Sequence, residues 1–141
     1  MKILVTGATG LIGSRIVRCL LEQGHSVTGL SRASRPGPPA DVVKHPSFRA
    51  ISCDLARKGE LASNGIERDF HAVIHCASQQ PRPGLAYREY HDSNVLALDH
   101  VLDWMRDLPL TNIVMLSTAV FQAFPSDAKA VLTERSGVDP R

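Results

Sequence analysis

The chain has 141 residues, a length suited to one domain and sufficient to bury a sizeable core. Apolar residues make up 43% of it and charged residues 21%, which excludes a globally disordered chain. The net charge of +2 gives no ground for a nucleic-acid or membrane-surface binder. No apolar run approaches the ~20 residues of a bilayer span, and the N-terminus lacks the pattern of a signal peptide.

In chain order, Lys2–Thr6 is short, apolar and β-branched and reads as a buried strand. Leu11–Gln23 carries Ile12, Ile16 and Leu20 at helical spacing, with Gly24 as its stop. His25–Ser31 is a second strand. Ser34–Pro46, with Pro36, Pro38, Pro39, Pro46 and Gly37, reads as a loop. Phe48–Cys53 is a third strand, and Asp54–Ala62 is a short helix with Asp54 as N-cap. Phe70–Cys76 is a fourth strand, followed by a Pro-containing loop over Gln79–Gly84. A long helix spans Leu85–Arg106, its apolar face drawn from Val95, Leu98, Val101, Leu102 and Met105. Asn112–Ser117 is a fifth strand, and Thr118–Arg141 is polar and weakly patterned. Apolar strands alternating with helices predict an α/β fold, a doubly wound parallel sheet covered on both faces.

The cysteines, Cys19, Cys53 and Cys76, are odd in number, widely spaced and without a CxxC pair. They predict neither a disulfide framework nor a zinc site, but reduced, mostly buried thiols in a cytoplasmic protein. His71 and His75 flank a strand, where their spacing does not bring two ligands together, so no metal is expected.

The densest chemical signal is Thr6-Gly7-Ala8-Thr9-Gly10-Leu11-Ile12-Gly13, between the first strand and the first helix. Gly7 permits a tight turn, Gly10 lets the backbone approach a phosphate, and Gly13 lets helix and strand pack closely. The helix N-terminus then offers free N–H groups and partial positive charge to a pyrophosphate. Packing alone would also account for glycines in such a turn.

This TGxxGxxG spacing resembles that of the extended short-chain dehydrogenase/reductase superfamily, the NAD-dependent epimerases, dehydratases and related reductases. Further landmarks of that family fall in order at the end of strand 2, at Asp54-Leu55, at His75-Cys76-Ala77-Ser78, at Asn94-Val95 and at Ser117-Thr118-Ala119-Val120-Phe121. The resemblance implies a Rossmann fold, here truncated after about five strands. It implies that residues 1–141 form an N-terminal NAD(P)-binding domain, with the substrate-binding C-terminal region absent. The glycine turn (Gly7, Thr9, Gly10, Leu11, Ile12, Gly13) would hold the pyrophosphate. Asp54 and Leu55 would lie against adenine, Asp54 being equally an ordinary N-cap, and Cys76, Ala77 and Ser78 would line the cofactor.

The end of strand 2 bears on the choice of cofactor. An acid there would bond the adenosine ribose 2′-hydroxyl of NAD, whereas an Arg would accept the 2′-phosphate of NADP. Here the sequence runs Leu30-Ser31-Arg32-Ala33-Ser34-Arg35, with no carboxylate between Glu22 and Asp41. NADP is therefore preferred over NAD, with Arg32 as main partner, Ser31 as a hydroxyl donor and Arg35 as a second cation.

Ser117 or Thr118 matches the hydroxyl that the family places beside a substrate carbonyl, and Asn94 matches an Asn that supports the active site through a helix distortion. The family's Tyr-x-x-x-Lys acid/base pair is absent. His91 and Asn94 stand four residues after Tyr87 and Tyr90, and no lysine follows a tyrosine at that spacing. The resemblance therefore implies the cofactor-binding part of an oxidoreductase, epimerase or dehydratase working by hydride transfer on a small carbonyl or sugar substrate, the 141 residues themselves being inactive. The alternative is a non-catalytic dinucleotide-binding module. A homo-oligomer stays open.

Overall fold

Strict alternation along the strands puts apolar side chains on both faces of the sheet. In β1 (Lys2–Thr6), Leu4 points to one side and Ile3 and Val5 to the other, and all three are buried. A strand buried on both faces must be covered by helices on both, which parallel crossovers provide. The computed structural model describes residues 1–34, 36–80, 82–109, 112–117, 133 and 135, and has that arrangement.

The elements in order are β1, α1 (Leu11–Glu22), β2 (Ser26–Ser31), α2 (Ala40–Val43), β3 (Phe48–Ser52), α3 (Glu60–Ser63), β4 (Ala72–His75), α4 (Tyr87–His91), a π-helical turn (Asp92–Leu96), α5 (Ala97–Met105) and β5 (Asn112–Met115). Every pairing is parallel, in the order β3-β2-β1-β4-β5. The chain runs outward from β1 through β2 to β3, then crosses back to β4 on the other side. The reversal between β1 and β4 is the switch point at which open α/β sheets bind ligands. Val17 and Leu21 of α1 and Val42 of α2 cover one face, packed with Ile3, Val5 and Val27. Leu61 of α3 and Ala97, Val101, Trp104 and Met105 of α5 cover the other, packed with Leu4, Leu30, Phe70 and Val73.

Three expectations need correction. The Ser34–Pro46 loop contains a helical turn, α2. Pro39 enters it in extended conformation (φ −54°, ψ 149°), Asp41 sits in its first turn, and buried Val42 anchors it to the core. The helix read over Asp54–Ala62 begins only at Glu60, because Gly59 adopts φ +85° and breaks the helical path before it. The long helix keeps its extent but only part of its predicted face, Val101 and Met105. Val95 and Leu102 are exposed, while Ala97, Val101, Trp104 and Met105 are buried. Within the regular turns of α5 the buried face is centred on Ala97, Val101, Trp104 and Met105, so Leu102 falls to its side; Val95 lies in the preceding π-helical turn. β1 has the expected bounds, and the other strand ends differ from expectation by no more than two residues, as strand ends do.

Candidate functional site

The first crossover is drawn tight by glycine. Gly7 has φ +67°, and a Cβ there would lie 2.7 Å from the backbone nitrogen of Ala77. A Cβ on Gly13 would lie 2.2 Å from the Gly7 carbonyl oxygen, so α1 can approach the turn only with glycine at that place. Gly10 differs, because its Cβ would meet only the Gly7 oxygen, at 3.2 Å. Gly10 is also the N-cap of α1 and provides no side-chain cap, and no acid stands in the first turn of the helix. The helix therefore opens with uncapped N–H groups and no competing negative charge.

Beneath this turn, β1 and β4 are tied together by side chains. The Thr6 hydroxyl accepts a hydrogen bond from the Ala77 N–H (3.2 Å) and lies 2.9 Å from His75 Nδ1. Donation from the hydroxyl to a neutral imidazole satisfies all three groups. Burial holds the His75 pKa below its ordinary value, in keeping with the neutral form.

At the C-terminal ends of these strands lies a cleft of about 630 Å³. Its walls bring together Gly7, Thr9 and Gly10 of the turn with Leu11 at the start of α1, Ser31 and Arg32 at the end of β2, Asp54 and Leu55 after β3, and Cys76, Ala77 and Ser78 after β4. Gly13 lies under the turn, and Ile12 faces away from the cleft into a shallow groove with Arg15, Ile16 and Cys19. Asn94 is not in the wall, but it sits in the π-helical turn and bonds the segment that forms the wall. Ser117 follows β5, is exposed, and does not line the cleft. Arg35 and Thr118 lie outside the described residues, as do Ala119, Val120 and Phe121.

The Asp54–Leu55 segment is held from three sides. The Asp54 N–H donates to Glu60 Oε2 (2.7 Å), the Asp54 side chain accepts from the Ala56 N–H (3.2 Å), and His100 Nδ1–H donates to the Leu55 carbonyl (2.8 Å). Asp54 thus makes the local turn that the capping reading required, although the helix starts later. Burial, with Glu60 nearby, pushes the Cys53 thiol up to about 11, and burial raises Cys76 too, so both are inert packing groups at neutral pH. Cys19 is exposed, contrary to the expectation of mostly buried thiols. Among the described residues, no three His, Cys, Asp or Glu side chains are grouped to hold a metal ion. None of the described helices is long and apolar enough to cross a membrane.

Sequence reasoning missed Gln79, which is buried in the cleft wall. Its Oε1 accepts from Arg32 Nη2 (3.2 Å), and its backbone is bonded on both sides by Asn94. Arg82 was missed as well. The only signal for either was position, immediately beyond Cys76-Ala77-Ser78.

The model of the NAD dependent epimerase/dehydratase family matches residues 3–139, nearly the whole chain. The chain belongs to this family. Among its relatives, dTDP-4-dehydro-6-deoxy-D-allose reductase of Streptomyces bikiniensis is 30% identical over 133 residues, covering 91% of this chain and 41% of that protein. UDP-glucose 4-epimerase of Corynebacterium glutamicum is 34% identical over 134 residues, covering 89% of this chain and 37% of that protein. A crystal structure of UDP-galactose 4-epimerase superposes with a TM-score of 0.75 at 28% identity, covering 99% of this chain and 45% of that one. The UDP-Glc/GlcNAc 4-epimerase of Campylobacter jejuni, at 22% identity and a TM-score of 0.83, shares the fold. The chain thus spans less than half the length of these relatives.

Proposed function

We propose that residues 1–141 form a single NADP-preferring dinucleotide-binding domain of a reductase, epimerase or dehydratase acting on a sugar nucleotide or a small carbonyl compound. One observation carries this reading. The uncapped start of α1 and the bare backbone of Gly10 open into a cleft whose β2 side presents Arg32 and no carboxylate. The fit is good on both counts: amide donors for a pyrophosphate, and a guanidinium for a 2′-phosphate.

In this reading the turn from Gly7 to Ile12 donates N–H groups to the pyrophosphate, with Gly13 holding the helix close enough for it to do so. Arg32 and Ser31, with Arg35, bind the 2′-phosphate. Asp54 and Leu55 flank adenine, held by Glu60 and His100. Cys76, Ala77 and Ser78 form the wall that excludes water from the cofactor. When bound, the nicotinamide supplies hydride transfer. Ser117 or Thr118 would donate a hydrogen bond to a substrate oxygen at the end of β5, and Asn94 would brace the neighbouring wall.

Tyr-x-x-x-Lys is absent from these residues, so the 141 residues alone are expected to bind dinucleotide without turning over a substrate. A second reading, a non-catalytic dinucleotide-binding module, would use the same cleft. Calorimetric titration with NADPH and NADH tests the shared part of both. NADPH is expected to bind about tenfold tighter than NADH or better, and Arg32→Ala to remove that difference while sparing NADH. Unchanged NADPH affinity in Arg32→Ala would sink the assignment. Assay of the corresponding full reading frame with a sugar nucleotide separates the two readings.

A further inference from the structure

Arg32 is not left to solvent. Its Nη2 donates to Gln79 Oε1 at 3.2 Å, and Gln79 in turn is immobilised. The Gln79 N–H donates to Asn94 Oδ1 (2.7 Å), Asn94 Nδ2 donates to the Gln79 carbonyl (3.1 Å), and Gln79 Nε2 donates to the Gln80 carbonyl (3.1 Å). Each polar group of Gln79 is thereby engaged, in a residue that is only 9% exposed. The anchor of these bonds, Asn94, lies in the π-helical turn, and its side chain reaches the segment after β4.

We propose that Gln79 is a positioning residue for cofactor selectivity: clamped by Asn94, it holds the Arg32 guanidinium in the cleft, ready for a 2′-phosphate. The proposal rests on the reading of Arg32 given above and adds a residue that does not itself need to touch the cofactor.

The chemistry suits an amide better than an acid. A carboxylate at position 79 would orient the guanidinium as well, but it would neutralise the charge and repel the phosphate. An amide oxygen is a neutral acceptor. It fixes the guanidinium and occupies only one of its five N–H donors, leaving a fork for the ligand. Among the described residues, no carboxylate is paired with Arg32. Ordering this long side chain before binding lowers the entropy lost when the phosphate arrives.

The test is a double-mutant cycle read by the dissociation constants of NADPH and NADH. Gln79→Met, similar in length but without the acceptor, is expected to weaken NADPH about threefold and to leave NADH within about twofold. Gln79→Glu is expected to weaken NADPH by about tenfold or more, again sparing NADH, which also shows that the variants are folded. In an Arg32→Ala background Gln79→Met is expected to have no further effect, because its action passes through the guanidinium. Three results would overturn the proposal: unchanged NADPH affinity in Gln79→Met, equal losses for both cofactors, or a Gln79→Met effect that persists without Arg32. If Arg32→Ala lowers NADPH affinity while Gln79→Met does not, only the role of Gln79 fails. If Arg32→Ala leaves NADPH affinity unchanged, the reading of Arg32 fails and this proposal with it.

Discussion

Gly10 and Gly13 carry the same residue type three positions apart and do opposite work. A methyl on Gly13 would sit 2.2 Å from a carbonyl oxygen of the backbone, which cannot move without pulling α1 off the sheet. Gly13→Ala is therefore expected to cost about 2–4 kcal/mol, read by urea denaturation. A methyl on Gly10 would touch only the Gly7 oxygen, at 3.2 Å, so Gly10→Ala is expected to cost less than about 1 kcal/mol. On the proposed function it should nonetheless weaken dinucleotide binding, because a methyl there would keep a phosphate off the amide hydrogens of the turn. A stability loss at Gly10 as large as that at Gly13 would mean that both serve packing only. Gly29 shows how easily such a requirement is overlooked. Its Cβ would lie 2.8 Å from the Ala8 side chain and 2.9 Å from the Phe48 ring, yet within a strand it looks like a weak spot rather than a necessity.

At the scale of elements, α5 is defined by the face it buries. Trp104 packs on Phe70, with ring centroids 6.3 Å apart and tilted by 53°, and the Arg68 guanidinium lies 5.7 Å from the Trp104 ring. These contacts join the helix to the segment that leads into β4. Trp104→Ala is expected to cost about 3–5 kcal/mol, measured by chemical denaturation, whereas Leu102→Ala on the exposed side should stay within about 0.5 kcal/mol. Equal losses at the two positions would restore the face first read from periodicity. That reading held only in part, for a local reason. Val101 and Met105 belong to the buried face, but Leu98 and Leu102 draw the apolar stripe to one side of it, and small Ala97 and amphipathic Trp104, which complete that face, do not stand out by type. The delayed start of α3 is also local: Gly59 decides the backbone, and Asp54 caps a turn instead of a helix.

For the molecule as a whole, the junction of β1 and β4 links folding to pH. Burial depresses the His75 pKa, so the unfolded chain takes up a proton at a higher pH than the folded one. The stability tied to neutral His75 is fully present above the unfolded value of about 6.5 and is lost as the pH falls from there through the lower folded value. Denaturation at pH 7.5 and pH 5.5 is expected to show lower stability at the acid end, and His75→Gln to reduce that difference. A wild-type protein with equal stability at both values would contradict the neutral assignment. The sheet also has an uneven finish. β5 pairs with β4 on one side, and its Ile113, Val114 and Met115 are exposed, unlike the buried β1 at the centre.

Much of this was legible in the order of residues. β-branched runs and glycine stops specified five parallel strands, and the TGxxGxxG turn marked where the first helix opens onto the cleft, because period and backbone freedom are local properties. Positions such as Ser31, Arg32, Asp54 and Cys76 were legible too, since the carboxyl ends of parallel strands converge whatever the intervening chain does. The partners of those residues were not. Gln79 meeting Arg32 across 47 residues, Asn94 reaching Gln79 across 15, and His100 reaching Leu55 across 45 are consequences of which helix lies over which strand end. Only the packed molecule decides such contacts, because a side chain's neighbours follow from the distance between elements and the phase of each helix, which no short stretch of sequence contains.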